Sequence, residues 1–328
     1  MHKPPIDISR RQMLKLGALA PSLLLAPGSA VMSVLLKDYG LREVVHSSHV
    51  MGQLANVTFL VEDALHGSET ATLLFKEFRR LESLLSLFDP GSDISRINRN
   101  AGRCLVTVSE ETMQVVTDSI AVASRTRSAL DITLEPLMRL WGFRGITRRG
   151  PPTDRQIAAA LEAVGIDSVV CSTNSIGLQK PGAAIDLGAT AVGFALDRAA
   201  DIARKAGIER GLIELSGDFI AIGAPPEGNG WPISIVDPRL AYQMWSSISI
   251  QDQALSTSAN YNNVVVYRAR RYGHILDPAC GRPSDALVSA TVVAPTAFRA
   301  DALSTALFAT GDLSIVDHDA SVYTLKHE

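Results

Sequence analysis

Hydrophobic positions repeat along the chain with two different periods, and each period predicts a different kind of element. Leu74, Phe78, Leu81 and Leu85 recur every three or four residues, which is the spacing of one face of an α-helix. Further helices are predicted at 109–126, at 153–164 behind a capping box, and at 296–310. Runs rich in β-branched and aromatic residues predict strands at 55–62, 168–171, 176–180, 211–215, 231–236, 247–250, 264–267 and 288–294.

The second half of the chain holds many predicted strands with few helices between them. This arrangement favours antiparallel pairing over a parallel, doubly wound sheet. No internal repeat or low-complexity linker interrupts the pattern. Residues 31–328 are therefore predicted to form one globular α+β domain, with a largely antiparallel sheet and flanking helices.

Composition narrows the classes of protein that fit. The chain has 328 residues, of which 46% are hydrophobic and 20% charged, and this excludes a globally disordered protein. The formal net charge of -3 provides no broad cationic surface. Nucleic acid is therefore not an expected partner.

The amino terminus has the pattern of an export signal. The pair Arg10 and Arg11 precedes a weakly hydrophobic run, and the small residues at 28–30 suit a signal peptidase. We interpret 1–30 as a twin-arginine-type signal peptide, which predicts a periplasmic protein. The apolar stretch continues to Leu36, so an uncleaved anchor in the inner membrane is the alternative.

The three cysteines, Cys104, Cys171 and Cys280, are far apart and have no metal-binding spacing. We expect them to be buried free thiols.

Asp186 is the first candidate for chemistry. It ends a strand-like apolar run, and Gly188 and a predicted helix follow it. The amino end of that helix would present unpaired N–H groups to an anion such as phosphate. The alternative interpretation is an ordinary strand-to-helix turn.

Asp301 and Thr305 are the second candidates. They are four residues apart and therefore share one face of the predicted helix at 296–310. Their oxygens suit magnesium, which usually completes its coordination with water and substrate phosphate. A solvated aspartate beside a helix-facing threonine is the alternative.

Three more polar segments lie in apolar surroundings. His274 precedes a tight turn around Asp277 and Gly281, and it is either a catalytic or a structural histidine. Asp131 lies in an apolar run that ends at 141–143. A turn at 90–91 leads into a short capped helix that ends at Asn98.

Together and in this order, the segments resemble the ApbE family, the FAD:protein FMN transferases. The resemblance extends from Met51 to about Gly311. Its motifs are Met51-Gly52-Gln53, Ser86-Leu87-Phe88 with 92–98, Leu130-Asp131-Ile132-Thr133 with Trp141, 186–197, Ser216-Gly217-Asp218, Thr257-Ser258-Ala259, 274–283 and 301–305.

The resemblance implies phosphoryl transfer: FAD is split at its diphosphate in the presence of magnesium, and FMN is joined to a threonine or serine hydroxyl of a client flavoprotein, with release of AMP. Asp301, Thr305 and the Ala189 carbonyl would bind Mg²⁺. His274 would accept the proton of the hydroxyl, so His274 and Asp301 are the catalytic candidates. The residues that would line the FAD site are Met51, Phe88, Ala129, Leu130, Asp131, Asp186, Val192 and Ile275.

The chain departs from the family pattern at several of these motifs. Val192 replaces a lysine that would carry a positive charge near FAD, and Phe88 replaces a tyrosine. Ser216, Ala259 and Cys280 replace the family's Gly, Gly and Thr. Two alternatives therefore stand beside the transferase: a magnesium-dependent FAD pyrophosphatase that releases FMN and AMP, and an exported FAD-binding protein without enzymatic activity.

Overall fold

The computed structural model describes residues 36, 38–145, 150–240, 243–260 and 263–327. Seven α-helices longer than one turn lie in these ranges: α1 Ala64–Leu85, α2 Asp93–Arg99, α3 Glu110–Arg125, α4 Glu135–Trp141, α5 Asp154–Leu161, α6 Ala191–Lys205 and α7 Ala297–Thr310.

Sixteen strands lie in the same ranges: β1 Arg42–Val50, β2 Gln53–Val61, β3 Val106–Thr107, β4 Val169–Cys171, β5 Ser175–Leu178, β6 Gly211–Leu215, β7 Asp218–Ile222, β8 Trp231–Asp237, β9 Gln243–Ile250, β10 Ala254–Ala259, β11 Val264–Tyr267, β12 Arg270–Gly273, β13 Leu276–Asp277, β14 Arg282–Pro283, β15 Ser289–Ala294 and β16 Ser321–Leu325.

The central sheet has seven strands in the order β1-β2-β6-β7-β10-β15-β16. Every neighbouring pair in it is antiparallel. A three-stranded sheet, β3-β5-β4, and three two-stranded sheets, β8-β9, β11-β12 and β13-β14, complete the strand pairing of the described chain. The expectation of an α+β domain with a largely antiparallel sheet is confirmed.

One face of the central sheet is covered by helices. Val57, Phe59, Ile213 and Ile220 are on this face, and they share a core with apolar residues of α1, α6 and α7. The alternate residues of the same strands, such as Phe219, pack under the β8-β9 hairpin on the opposite face. Burial on both faces fixes the strand register, because a shift of one residue would exchange the two sets of side chains.

A third apolar cluster joins the helical region to the β11-β12 hairpin. Trp141 at the end of α4 is 1% exposed, and its indole N–H donates to the Gly281 carbonyl at 2.9 Å. The Tyr267 hydroxyl donates to the Trp141 carbonyl at 2.7 Å. Trp141 therefore connects α4 to the turn that follows β13.

The predicted long helices are confirmed, with ends set by capping. The Ser109 hydroxyl accepts from the Thr112 N–H at the start of α3. Thr153 and Gln156 form the predicted capping box, but α5 ends at Leu161 rather than Val164. Hydrophobic period identifies a helix more reliably than it locates the last turn.

Four strands of the central sheet were not predicted: β1, β7, β10 and β16. The reason is clearest in β10, where small and hydroxyl-bearing residues replace the large apolar ones expected of a buried strand. Their small volume allows α7 to pack closely against the strand, so packing rather than β-propensity explains this sequence.

The predicted signal peptide at 1–30 lies outside the described residues. In the part of the chain that is described, no helix combines the length and hydrophobicity that a membrane span requires. The cysteines are free, as expected, but the expectation of burial was wrong: Cys104 and Cys280 are exposed and Cys171 is half-buried.

Candidate active site

The segment 183–187 positions Asp186 without forming a strand. The Asn98 amide donates to the Ile185 carbonyl at 2.9 Å, and its oxygen accepts from the Ile185 N–H at 2.7 Å. The Asp186 N–H donates to the Ile132 carbonyl at 2.8 Å. The prediction of a strand ending at Asp186 was wrong, because a side-chain amide here supplies the hydrogen bonds that a neighbouring strand would supply.

The helix predicted after Asp186 is present as α6. A turn at 188–190 precedes it, and the Gly188 N–H donates to Asp186 Oδ1 at 2.9 Å. Thr190, at the N-cap position, makes no side-chain cap to α6. Asp186 is therefore anchored one turn before a helix amino end that lacks the usual side-chain acceptor.

Arg144 is an ionic partner of Asp186. Its guanidinium donates to Asp186 Oδ2, and its Nε donates to Glu135 Oε2 at 2.8 Å. The same guanidinium lies 5.7 Å from the ring centre of Phe88. Arg144 thus connects Asp186 to the exposed aromatic ring of the 86–88 motif.

The segment 129–133 lies beside Asp186, because Ile132 accepts the Asp186 N–H. Ala129 and Leu130 are buried in the main core. Asp131 Oδ1 accepts from the Thr133 N–H at 2.7 Å and from the Thr133 hydroxyl at 2.6 Å. Burial raises the pKa of Asp131 above its ordinary value, against the effect of these hydrogen bonds.

His274 faces the same charged groups. Its Nδ1 is buried and has no hydrogen-bond partner in the described part of the chain. Burial lowers the pKa of His274, and the Arg144 charge lowers it further, whereas a backbone hydrogen bond with Asn263 and the Asp186 charge act in the opposite direction. The imidazole is therefore neutral at pH 7, the form that can accept a proton.

Asp301 and Asp218 form a buried pair of carboxylates. Asp301 is 6% exposed, and its Oδ2 accepts from the Gly193 N–H in the first turn of α6 at 3.0 Å. Burial raises the pKa of Asp301 well above its ordinary value, and the Asp218 charge raises it further. Burial also raises the pKa of Asp218, to about 7. Each shift means that the ionised form of the carboxylate is disfavoured as long as no cation is bound beside it.

Thr305 lies one helical turn after Asp301 on α7, as predicted. The Ser258 hydroxyl of β10 lies 3.1 Å from Thr305 Oγ1 and 2.8 Å from Ser304 Oγ. These contacts hold the Thr305 hydroxyl at the junction of α7 and the central sheet.

Close packing of α6 against α7 brings the first turn of α6, which follows the 188–190 turn, to Asp301. A Cβ atom on Gly193 would lie 2.3 Å from the Ala297 carbonyl oxygen, so only glycine permits this approach. Ala189 precedes Gly193 by one helical turn, and Val192 is its neighbour; both are half-buried and pack against the main core.

The two remaining candidates for the FAD site are Met51 and Ile275. Met51, in the β1-β2 turn, has a positive φ of 51°, and its N–H donates to Glu82 Oε2 at 2.9 Å. Ile275 is buried next to His274, and its N–H donates to Asn260 Oδ1 at 3.0 Å.

The structure thus brings the candidates together in two groups. Phe88, Asp186 and His274 surround Arg144, with the 129–133 segment alongside. Asp301 and Thr305 lie on α7 against the first turn of α6. The turn at 188–190 is the covalent connection between the groups. Met51 lies in the β1-β2 turn and packs against the main hydrophobic core.

Sequence reasoning assigned no role to Arg144 or Asp218. The signal for Arg144 was a charged residue directly after the apolar 141–143 segment. The signal for Asp218 was its place in the Ser216-Gly217-Asp218 motif, directly before an apolar strand. The roles of both residues depend on long-range contacts, which the local pattern does not contain.

The group of residues on α7 that contains Asp301 and Thr305 has the chemistry of a cation site that a substrate oxygen would complete. Asp301 Oδ1 has no hydrogen-bond partner among the described residues, and Thr305 offers a second hard oxygen. The described chain contains no cluster of three or more His, Cys, Asp or Glu side chains suited to a metal ion. These residues fit Mg²⁺, which commonly takes one or two carboxylates together with waters and phosphate oxygens.

The described chain is an antiparallel α+β domain with a buried carboxylate pair beside a helix amino end, and these residues fit a phosphate ester and a divalent cation. The ApbE family model matches residues 51–319, so the chain belongs to the ApbE family.

Known relatives agree with this assignment. The chain is 31% identical to the FAD:protein FMN transferase of Vibrio cholerae, over 82% of each chain. It is 32% identical to the FAD:protein FMN transferase of Salmonella typhimurium, over 80% of this chain and 77% of the relative. The crystal structure of the ApbE protein from Thermotoga maritima matches with a TM-score of 0.79 and 28% identity, covering 86% of this chain and 94% of that one.

Proposed function

We propose that the protein transfers FMN from FAD to a threonine or serine hydroxyl of a client flavoprotein, in a magnesium-dependent reaction that releases AMP. The relatives named FAD:protein FMN transferase support FAD as the substrate and a protein as the acceptor. The site geometry supports the magnesium requirement and the roles of individual residues.

The observation that carries this proposal is the buried Asp301–Asp218 pair. Both carboxylates have raised pKa values, and neither forms a salt bridge among the described residues. A divalent cation bound by Asp301, Thr305 and the Ala189 carbonyl would remove this imbalance and neutralise charge on the FAD diphosphate.

Phosphoryl transfer requires a residue near the client hydroxyl that accepts the hydroxyl proton as the new bond to phosphorus forms. The client oxygen forms a bond to the FMN phosphorus, and the bond from that phosphorus to the AMP oxygen breaks. AMP leaves with the bonding electron pair, and neutral His274 accepts the hydroxyl proton. Phe88, Ile275, Met51, Val192, Asp186 and the 129–131 segment are the residues proposed to position FAD.

Product analysis tests the proposal directly. Purified protein is incubated with FAD, Mg²⁺ and a client domain that has an accessible threonine, and the products are analysed by mass spectrometry. We expect the client mass to increase by the mass of FMN less one water, the change for a phosphoester bond, and AMP to appear in equal amount. Free FMN with AMP would instead establish a pyrophosphatase. Intact bound FAD would establish a binding protein without enzymatic activity.

The proposed location is the periplasm, with a twin-arginine signal for export. The paired Arg10 and Arg11 ahead of an apolar run support it. We expect R10K/R11K to leave the full-length chain in the cytoplasmic fraction, whereas the unchanged chain reaches the periplasm or the periplasmic face of the inner membrane. Equal export of both chains, measured by fractionation and intact mass, would contradict the assignment.

A further inference from the structure

Arg144 has a position that the proposed function does not explain. α4 ends at Gly142, which has a left-handed φ of 93°, and the buried Phe143 then fixes the direction of the chain. The Arg144 side chain is only 15% exposed. An arginine is seldom buried to this degree unless its guanidinium has specific partners.

The hydrogen bonds of Arg144 leave part of the guanidinium available. Nε donates to Glu135, and Nη2 donates to Asp186 and lies 2.8 Å from Glu135 Oε2. The second Glu135 oxygen accepts from Arg139 at 2.8 Å. Nη1 of Arg144 has no partner among the described residues, so within this part of the chain its two N–H donors are available in a direction fixed by the planar guanidinium.

The charges around Arg144 permit an anion to approach. Glu135 and Asp186 are balanced by Arg139 and Arg144, so the local cluster has no net charge. His274, which faces this cluster, is neutral at pH 7 because its pKa is lowered. An incoming phosphate therefore meets an oriented cation without uncompensated negative charge beside it.

The guanidinium also lies where FAD is proposed to bind. It is over the ring of Phe88, which is 75% exposed, and it bonds to Asp186. Phosphate is the anionic part of FAD, and a guanidinium fork binds phosphate oxygens with strong, directional hydrogen bonds. Because two carboxylates already hold Arg144, little side-chain entropy remains to be lost on binding.

We propose that Arg144 is a phosphate-binding residue of the FAD site: Nη1 donates to an oxygen of the FAD diphosphate while Nε and Nη2 remain bound to Glu135 and Asp186. This inference rests on the proposed function for the identity of the ligand. It adds a substrate contact and a specificity for phosphorylated flavins over riboflavin.

The test compares two flavins that differ in phosphate. Affinities of the wild-type protein and R144Q for FAD and for riboflavin are measured by fluorescence titration, without metal and without client. Loss of a charge-assisted hydrogen bond is expected to weaken FAD binding by about 10- to 100-fold. Riboflavin binding is expected to remain unchanged. Equal losses for both flavins, or no loss of FAD affinity, would overturn the inference.

Two further variants separate contact from folding. R144Q leaves the buried Glu135 with Arg139 as its remaining cation, so E135Q/R144Q is included because it also removes the Glu135 carboxylate. Asp186 loses its Arg144 partner in both variants and keeps the Gly188 N–H as a donor. It is expected to unfold as cooperatively as the wild type and to show the same selective loss of FAD affinity. R144K keeps the charge and is expected to retain part of the preference for FAD. A double variant that regains wild-type FAD affinity would overturn the inference.

The outcome is distinguishable from failure of the proposed function. A protein that binds FAD through Arg144 but yields no FMN-modified client supports this inference and contradicts the transferase. FMN transfer with unchanged FAD affinity in R144Q supports the transferase and overturns this inference. A wild-type protein that binds no FAD overturns both.

Discussion

Replacing Asp301 by asparagine is expected to reduce FMN transfer by at least about 1000-fold, while the metal-free protein remains folded. The substitution keeps the acceptor oxygen for the Gly193 N–H but removes the charge that would bind the cation. Transfer is measured at saturating FAD and Mg²⁺. The surface substitution D201N on α6 is the matched control and is expected to retain full activity. Transfer at the wild-type rate in D301N would remove Asp301 from the proposed metal site.

The stability of the metal-free protein provides an independent readout of the same substitution. Burial raises the pKa of Asp218 from 3.8 to about 7, and that of Asp301 rises as well. Between about pH 4 and about pH 7, the folded state holds protons that the unfolded chain has released. The free energy of unfolding therefore falls as pH rises through this range. D301N removes one of these groups and its charge on Asp218, so the fall is expected to be smaller.

Magnesium is expected to stabilise the wild type but not D301N. A ligand that binds only the folded state raises the free energy of unfolding, so Mg²⁺ is expected to raise the Tm of the wild type at pH 7.5 but not that of D301N. Thermal unfolding at several pH values, with and without Mg²⁺, checks both expectations. Equal stabilisation of the two proteins by Mg²⁺ would place the cation elsewhere.

The sequence predicted those features of the site that depend on local spacing. The four-residue separation of Asp301 and Thr305 placed both on one face of α7, and the structure has them there. The turn after Asp186 and the following helix were also predictable, because glycine and helix-start patterns are local. The extended form of 183–187 was not, since its hydrogen bonds come from the distant Asn98 side chain.

Features that depend on contacts between residues distant in sequence could not be predicted from the sequence. Asp218 acquires its raised pKa because β7 is adjacent to β10 and under α7, a topology that no local period encodes. Gly193 is required because α6 approaches the Ala297 carbonyl. Arg144 resembles any polar residue after a helix until Asp186 and Glu135 are placed around it. These contacts determine the chemistry, whereas the local patterns determine the elements that make them.

Replacing His274 by asparagine is expected to lower FMN transfer by about 100- to 10,000-fold, the range for loss of a general base, with little change in FAD affinity. The unpartnered Nδ1 and the neutral state of the ring are the physical basis for this expectation. Single-turnover transfer and FAD titration separate the two effects. Weakened FAD binding with an unchanged transfer rate would assign His274 to flavin binding instead.

The pH dependence of transfer identifies the proton acceptor more closely. A general base acts in its neutral form, and the pKa of His274 is lowered below 6.5 by burial and by the Arg144 charge. Transfer by the wild type is therefore expected to rise with pH below 6.5 and to be level at neutral pH. Saturating Mg²⁺ is used so that Asp218 and Asp301 remain ionised throughout.

Removing the charge of Arg144 is expected to change the pH at which the transfer rate increases. Without the guanidinium charge the pKa of His274 increases, so the rise in R144Q is expected at higher pH than in the wild type. R144K retains the charge and should keep the rise near its wild-type position. In H274N/R144Q the rise should be absent, because the titrating group has been removed. A rise that persists in H274N and still shifts with Arg144 would show that another group accepts the proton.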